Sequence, residues 1–205
     1  MNRRLIDILI KDFSVYDRNI LDAFKKTDRS LFIPAEYGRV AGQNIAIPLM
    51  NGQTSTKPST IARFLNFLSR YGYSDIIEIG TGSGYQTALL SLLYKKVISY
   101  EIDPELYEWA GKRLAAYGNV TLRLGNIFRE PPTEMADAVI ASFAICADLE
   151  NLNELIREGG SILAPVLKGN NQFLLHIFKE NGKITNNYLN YEHFVKHRGL
   201  AENEQ

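Results

Sequence analysis

The sequence predicts an α/β protein with a doubly wound, mostly parallel seven-stranded sheet, a C-terminal antiparallel hairpin and an N-terminal helical preface. Three observations support this prediction. Apolar runs alternate with helical patterns from Ile76 onward, a glycine-rich turn interrupts the first alternation, and Asn181-Gly182 is a strong hairpin signal near the C terminus. Such alternation is typical of a parallel sheet covered by helices on both faces.

The elements follow from the apolar periodicity. The first strand is predicted to end at Ile79. Further strands are predicted over Val97–Tyr100, Val120–Leu124, Ala138–Ala141, Ser161–Val166, Phe173–Phe178 and Ile184–Val195. Helices are predicted over Arg4–Lys11, Asp17–Lys26, Gln86–Tyr94, Pro104–Tyr117 and Leu149–Arg157. Proline at the start of one helix and glycines after the last two are the expected start and stop signals. The stretch from Ile33 to Pro58 is predicted to be a functional loop, because loops of this length are uncommon inside compact domains.

The bulk properties indicate one globular domain. A chain of 205 residues with no linker or repeat is expected to divide into a preface and loop (1–60), a binding core (61–166) and a hairpin region (167–205). The net charge of zero argues against nucleic acid as a partner. The charged N terminus does not match a signal peptide and no run is long enough for a membrane helix, so we expect a cytoplasmic protein without membrane contact. A monomer is the expected state.

The segment from Asp75 to Tyr85 carries most of the functional information. An apolar run ends in glycines at three alternate positions (80, 82 and 84) and a helical pattern follows, an arrangement that presents bare backbone N–H groups to a ligand. Tyr85 occupies the position where a dinucleotide fingerprint needs a third small residue, and the Lys-Ser/Thr ending of a phosphate-binding loop is missing. Glu78 would repel a pyrophosphate. Glu101 ends the next apolar run, where an acid can bind ribose hydroxyls. Together these features indicate an S-adenosylmethionine site; the alternative is a glycine turn with no ligand.

Three stretches resemble one family. Asn19 to Pro34 contains Thr-Asp-Arg-Ser-Leu-Phe-Ile-Pro, Ile47 to Pro58 contains Asn-Gly-Gln-Thr-Ser-Thr-Lys-Pro, and Glu78 to Ala88 reads Glu-Ile-Gly-Thr-Gly-Ser-Gly-Tyr-Gln-Thr-Ala. The sequence closely resembles protein-L-isoaspartate O-methyltransferases from about Asn19 to Gly199. That family has the class I methyltransferase fold and uses S-adenosylmethionine to methylate the carboxylate of L-isoaspartyl sites in damaged proteins or peptides.

The resemblance implies roles for individual residues. Gln53 to Thr56 would face the methyl group and the substrate carboxylate, with Thr54, Ser55 and Thr56 as the catalytic hydroxyls and Gln53 as a cofactor-binding residue. The remaining positions would bind the cofactor. Glu101 and Ile102 would lie at the ribose of the cofactor, and Gly125, Asn126 and Ile127 would lie at its adenine. The residues expected at its methionine part are Glu78, Gly80, Thr81, Gly82, Ser83 and Gly84, with Ser142 nearby.

Four departures from the family pattern lie mainly on the substrate side. Thr56 stands where the family usually has serine, and Asn126 stands where it usually has aspartate. Ser142 to Cys146 replaces a run of small residues, and Phe194 to Arg198 replaces a Phe-Val-Pro-Leu-Thr segment. They leave two alternatives open: an O-methyltransferase for another peptide carboxylate, such as an aspartate or the C terminus of a tailored peptide, or an inactive cofactor-binding protein.

The remaining reactive side chains do not form a second site in the sequence. Cys146 is expected to be a small packing residue rather than a nucleophile. His193 and His197 have metal-like spacing but no evident third ligand, so no metal site is predicted.

Overall fold

The computed structural model describes residues 3–145, 149–168 and 171–190. Cys146, His193, His197 and the departure at 194–198 lie outside these ranges. The helices are α1 (Arg3–Phe13), α2 (Arg18–Lys26), α3 (Pro58–Leu68), α4 (Tyr85–Leu93) and α5 (Pro104–Leu114). The strands are β1 (Ile47–Pro48), β2 (Thr54–Ser55), β3 (Asp75–Ile79), β4 (Lys96–Glu101), β5 (Val120–Leu124), β6 (Ala136–Ala141), β7 (Ile156–Lys168), β8 (Asn171–Glu180) and β9 (Lys183–Asn190).

The main sheet confirms the predicted fold class. Its seven strands have the order β5-β4-β3-β6-β7-β8-β9. Strands β3 to β7 are parallel, whereas β8 and β9 are antiparallel additions. Asn181 and Gly182 both have positive φ, as the predicted hairpin turn between β8 and β9 requires. The order reverses between β3 and β6, and this switch point is where open α/β sheets bind ligands.

Alternating side chains bury both faces of the sheet. Ile76 packs with α1 to α4 in one hydrophobic cluster, while its neighbour Ile77 belongs to a second cluster with Val139 and Ile162. The alternation is what a strand with period two produces when helices or loops cover both sides. The sheet therefore offers a rigid platform for the loops at the carboxyl ends of its strands. Within the described ranges, none of the helices is long and apolar enough to cross a membrane.

Two sequence predictions of secondary structure are corrected. The predicted helix Leu149–Arg157 is wrong: a 3-10 segment spans Glu150–Leu155, and Arg157 already belongs to β7. Gly160 therefore lies within β7 and does not end a helix. A Cβ at this position would lie 2.8 Å from Asp137 O, so the glycine permits close approach of β7 to β6. The predicted loop Ile33–Pro58 instead contains 3-10 turns and the small β1–β2 hairpin.

The N-terminal helices form as the sequence predicts, with shifted bounds. Asp17 is the N-cap of α2, because its side chain accepts hydrogen bonds from the backbone N–H groups of Asn19 and Ile20. Helix α3 was not predicted. It begins at Pro58, and its buried positions include Ser59 and Thr60, which weaken an amphipathic pattern.

Candidate functional site

A cavity of about 320 Å³ opens at the carboxyl ends of β3, β4 and β6. This volume lies in the range of about 300–1,000 Å³ that small-molecule sites occupy. All predicted site residues except Glu78 and Gly84 line it. They come from five chain segments: Gln53–Thr56, Gly80–Ser83, Glu101–Ile102, Gly125–Ile127 and Ser142.

The glycine turn, defined here as Gly80–Gly84, joins β3 to α4. All three glycines have positive φ, at 90°, 54° and 82°, which explains why glycine recurs at alternate positions. The backbone N–H groups of Gly80 and Thr81 both donate to Tyr100 O, at 2.8 and 3.1 Å. These bonds tie the turn to the end of β4. The turn therefore presents fixed backbone, free of Cβ atoms at the glycines, to the cavity.

Glu101 is buried at the end of β4, and both of its carboxylate oxygens accept backbone hydrogen bonds. Oε2 accepts from Gly82 N at 2.7 Å, and Oε1 accepts from Ile102 N and Asp103 N at 3.0 Å each. Burial raises the pKa of this carboxyl, while the three N–H donors oppose that effect. The side chain lines the cavity with lone pairs remaining on both oxygens, as a ligand that brings hydroxyl donors requires.

Glu78 lies beneath the glycine turn rather than in the cavity. It is fully buried, and the hydroxyls of Thr87 and Ser99 both donate to its Oε2. Thr81 Oγ1 in turn lies 2.6 Å from Ser99 Oγ, so Glu78 supports the turn through two hydroxyl groups. Glu78 itself does not line the cavity, so its predicted contribution to cofactor binding would act through these hydroxyl groups.

Gly84, the other predicted site residue outside the cavity, is the N-cap of α4. A Cβ at this position would lie 3.1 Å from the side chain of Leu114 on α5. Backbone conformation and the close packing of α5 therefore both favour glycine at this position.

The acceptor loop, defined here as Gln53–Thr56, forms the opposite wall. Thr54 and Thr56 are half-buried and line the cavity, and neither hydroxyl bonds to another residue in the described part of the chain. Ser55 differs: it is buried, with Oγ 3.4 Å from Arg29 Nη2 and 3.5 Å from Ser83 Oγ. Two hydroxyls of the loop are therefore available to a substrate, and the third connects the loop to its surroundings.

The segment Gly125–Ile127 lies beyond Glu101. Gly125 N donates to Glu101 O at 2.9 Å, which brings the segment to the end of β4. Asn126 Oδ1 accepts from Phe128 N at 3.0 Å, so one lone pair of the carbonyl that is expected to meet an adenine amine is already used. The second lone pair and the amide N–H groups remain for a ligand.

Sequence reasoning missed a group of side chains on the third wall. Gln86 Nε2 donates to Ser142 Oγ at 2.8 Å, and the Phe143 ring lies over the glycine turn. A Cβ on Gly80 would be only 2.9 Å from that ring. Gln86 follows the motif directly, and its position in the first turn of α4 was the available signal. Phe143 had a weaker signal, a bulky residue where the resembled family has small ones.

Comparisons with known proteins agree with this geometry. A family model described as protein-L-isoaspartate(D-aspartate) O-methyltransferase matches residues 1–202. A protein-L-isoaspartate O-methyltransferase of Dictyoglomus thermophilum is 34% identical over 200 residues, covering 96% of this chain and 90% of that protein. One from Myxococcus xanthus is 36% identical over 167 residues, covering 80% and 79%.

A solved structure supports the fold. It is a Plasmodium falciparum protein described as a protein-L-isoaspartate O-methyltransferase, in complex with S-adenosyl-L-homocysteine. It superposes with a TM-score of 0.85 at 21% identity, covering 95% of this chain and 97% of that one.

Proposed function

Since this chain belongs to the protein-L-isoaspartate(D-aspartate) O-methyltransferase family, we propose that it methylates the carboxylate of L-isoaspartyl residues in proteins or peptides, with S-adenosylmethionine as donor. The observation that carries the proposal is the cavity itself. In it the acceptor loop Gln53–Thr56 lies opposite the glycine turn and Glu101, so that one space has a cofactor wall and an acceptor wall.

The residues present fit the cofactor. A ribose needs hydrogen-bond acceptors, and the buried Glu101 carboxylate supplies them at the strand end. A methionine moiety needs close backbone approach, which the glycine turn allows because side chains are missing at its positive-φ positions. An adenine ring needs apolar contact and a polar edge, and Ile127 and Asn126 offer these. When bound, S-adenosylmethionine supplies a methyl group activated by a sulfonium.

The chain's own task in such a reaction is to position and desolvate the acceptor. An α-carboxyl group, with a pKa near 3.5, is ionised at neutral pH, so no general base is needed. Hydroxyl donors at Thr54 and Thr56 suit a carboxylate that must be held in one orientation. Apolar side chains such as Ile61 and Phe143 line the same cavity and exclude water from the nucleophile. The absence of a catalytic histidine or lysine from the predicted roles is consistent with this chemistry.

A peptide containing one isoaspartyl residue, paired with the same sequence containing aspartate, tests the proposal. Incubation with methyl-labelled S-adenosylmethionine should label the isoaspartyl peptide, and mild alkali should release the label as volatile methanol because the product is an ester. Alkali-stable label would indicate nitrogen methylation and overturn the proposal. Equal or preferential labelling of the aspartyl peptide would favour another peptide carboxylate as the substrate.

A further inference from the structure

Arg29 is a buried cation that lies behind the acceptor loop. Its side chain is 1% exposed, and its guanidinium donates to the backbone carbonyls of Gln43, Ile45 and Thr56 at 3.2, 3.0 and 3.1 Å. Its carbon Cζ lies 5.6 Å from the centre of the Tyr85 ring. Among the described residues, no carboxylate forms an ion pair with it.

Such a group is costly to keep in the interior. Burial lowers the pKa of Arg29 to about 10, so the side chain still carries its charge at neutral pH. A buried charge without a counter-ion is normally retained only where hydrogen bonds and a specific role compensate for its desolvation. Here the compensation comes from carbonyl oxygens of a surface loop. This arrangement makes the loop conformation depend on the arginine.

The three carbonyls lie on both sides of the β1–β2 hairpin. Gln43 and Ile45 precede β1, and Thr56 follows β2. The hairpin itself has only two paired positions, Ile47 with Ser55 and Pro48 with Thr54. Two pairs are too few to hold a hairpin in one register in water. The guanidinium joins the base of the hairpin and so fixes where the loop enters and leaves the cavity.

The same side chain connects the acceptor loop to the cofactor wall. Arg29 Nη2 lies 3.4 Å from Ser55 Oγ, and Ser55 Oγ lies 3.5 Å from Ser83 Oγ in the glycine turn. Tyr85, whose ring faces the guanidinium, also lines the cavity. Arg29 thus contacts the acceptor loop directly and is connected to the glycine turn through Ser55. In-line transfer between two bound molecules requires that these two walls keep a fixed relative position.

We propose that Arg29 is a positioning residue for methyl transfer, and this inference rests on the proposed function of the cavity. By holding the Gln43, Ile45 and Thr56 carbonyls, Arg29 keeps the hydroxyls of Thr54 and Thr56 in register with the glycine turn. It does not touch substrate or cofactor. Its loss therefore changes turnover more than cofactor affinity, since Glu101 and the glycine turn bind the cofactor from the other walls.

The test compares Arg29→Met, which keeps an unbranched apolar stem and removes the guanidinium donors, with Arg29→Lys, which keeps the charge but can reach fewer carbonyls. Arg29 and Leu31 belong to one 3-10 turn, Arg29–Phe32. Arg113→Met is the matched control, because Arg113 donates to Leu31 O in that turn without contacting the acceptor loop. We expect Arg29→Met to lower kcat about a hundredfold, as a displacement of about 1 Å in a reacting group does. The dissociation constant for S-adenosylmethionine should change less than about threefold, and Arg29→Lys should recover part of the turnover.

Amide hydrogen exchange supplies an independent measurement. Protection of residues 44–56 should fall in both Arg29 variants and stay at the parent level in Arg113→Met. Parent-like turnover in folded Arg29→Met, or a loss of turnover no larger than the loss of cofactor affinity, would overturn the positioning role. If Arg29→Met does not fold, Arg29→Lys decides: full parent kcat with full loop protection overturns the proposal. A parent protein that labels no carboxylate would instead refute the proposed function, and hydrogen exchange would still report on Arg29.

Discussion

Gly82 N donates to Glu101 Oε2 at 2.7 Å, so the glycine turn after β3 is bonded directly to the carboxylate that ends β4. The two features that indicated a cofactor site in the sequence are therefore one hydrogen-bonded unit. A carboxylate at this position has two tasks, since it holds the turn in shape and offers lone pairs to the cavity.

Glu101→Ala is expected to weaken S-adenosylmethionine binding by about ten- to a hundredfold, because hydrogen bonds to a charged group contribute about 1.5–3 kcal/mol. Isothermal titration calorimetry measures the change. Glu108→Ala, which removes an exposed carboxylate from the neighbouring helix α5, controls for the change in net charge and should bind like the parent. Unchanged affinity in a folded Glu101→Ala protein would remove Glu101 from the site.

Glu78 gives a prediction about pH and stability. Burial raises its pKa from 4.5 to about 7, because hydrogen bonds from Ser99 and Thr87 only partly offset the loss of solvation. Glu78 Oε1 and Gln86 Oε1 are buried oxygens without partners, and the two side chains interact. The Gln86 interaction, like the hydrogen bonds from Ser99 and Thr87, lowers the pKa of Glu78, but burial raises it by more.

The raised pKa of Glu78 determines how the free energy of unfolding changes with pH. Below about pH 4.5, Glu78 is protonated in both the folded and the unfolded state, and its ionisation does not affect stability. Between pH 4.5 and 7 it ionises only in the unfolded chain, so the free energy of unfolding falls as the pH rises. The loss by pH 8 is about 3 kcal/mol for this one group. Glu78→Gln mimics the neutral acid, and urea unfolding at pH 5 and pH 8 should show a smaller difference than in the parent. An identical difference in both proteins would mean that Glu78 ionises normally in the folded state.

The sequence predicted that the glycine turn and Glu101 meet at one edge of the sheet, for a physical reason. Strand ends and glycine turns are local features, and parallel strands bring their carboxyl ends to the same edge of the sheet. Gly80, Gly82 and Glu101 could therefore be placed from spacing alone. The same local reasoning put Glu78 in the cavity, because spacing along a strand does not show which face a side chain occupies when both faces are buried.

What the sequence missed depends on tertiary packing. Helix α3 is buried around much of its circumference, so its pattern has no clear polar face. The contact of Phe143 with the glycine turn arises only when β6 lies beside β3. Nothing in the sequence around Arg29 predicts its burial, since arginines are rarely buried without an acidic partner. Only the folded structure shows the carbonyls that surround it.

Asn51 is predicted to control opening of the acceptor wall. Its side-chain amide donates to Asp103 Oδ2 at 2.8 Å and to Glu105 Oε2 at 3.1 Å, both at the start of α5. Asn51→Gly keeps the positive φ of this residue and removes the donor, so we expect bound S-adenosylhomocysteine to dissociate about three- to tenfold faster in stopped-flow measurements.

Asn51→Asp provides the sharper comparison. It keeps the size of the side chain but places a carboxylate against Asp103 and Glu105, so dissociation should be faster than in Asn51→Gly and should slow as added salt screens the repulsion. If both variants release the product at the parent rate, the contact with α5 does not limit opening.

Thr56 tests the chemistry of the acceptor wall. Its backbone carbonyl is held by Arg29 at 3.1 Å, so replacement of the side chain leaves the loop path in place. Thr56→Val keeps the shape and removes the hydroxyl donor. We expect turnover on an isoaspartyl peptide to fall at least about tenfold, because a hydrogen bond to the carboxylate is lost and its alignment loosens. Cofactor affinity should remain near the parent value.

Thr56→Ser is the matched control for that loss. Serine retains the hydroxyl and removes only the methyl group, so turnover should stay at or above the parent level. A comparison of kcat and KM then separates the two contributions of the hydroxyl: a loss confined to kcat indicates alignment during transfer, and an equal rise in KM indicates simple binding of the carboxylate. If the valine and serine variants both match the parent on isoaspartyl and aspartyl peptides, Thr56 serves only the structure of the loop, and the carboxylate is held elsewhere in the cavity.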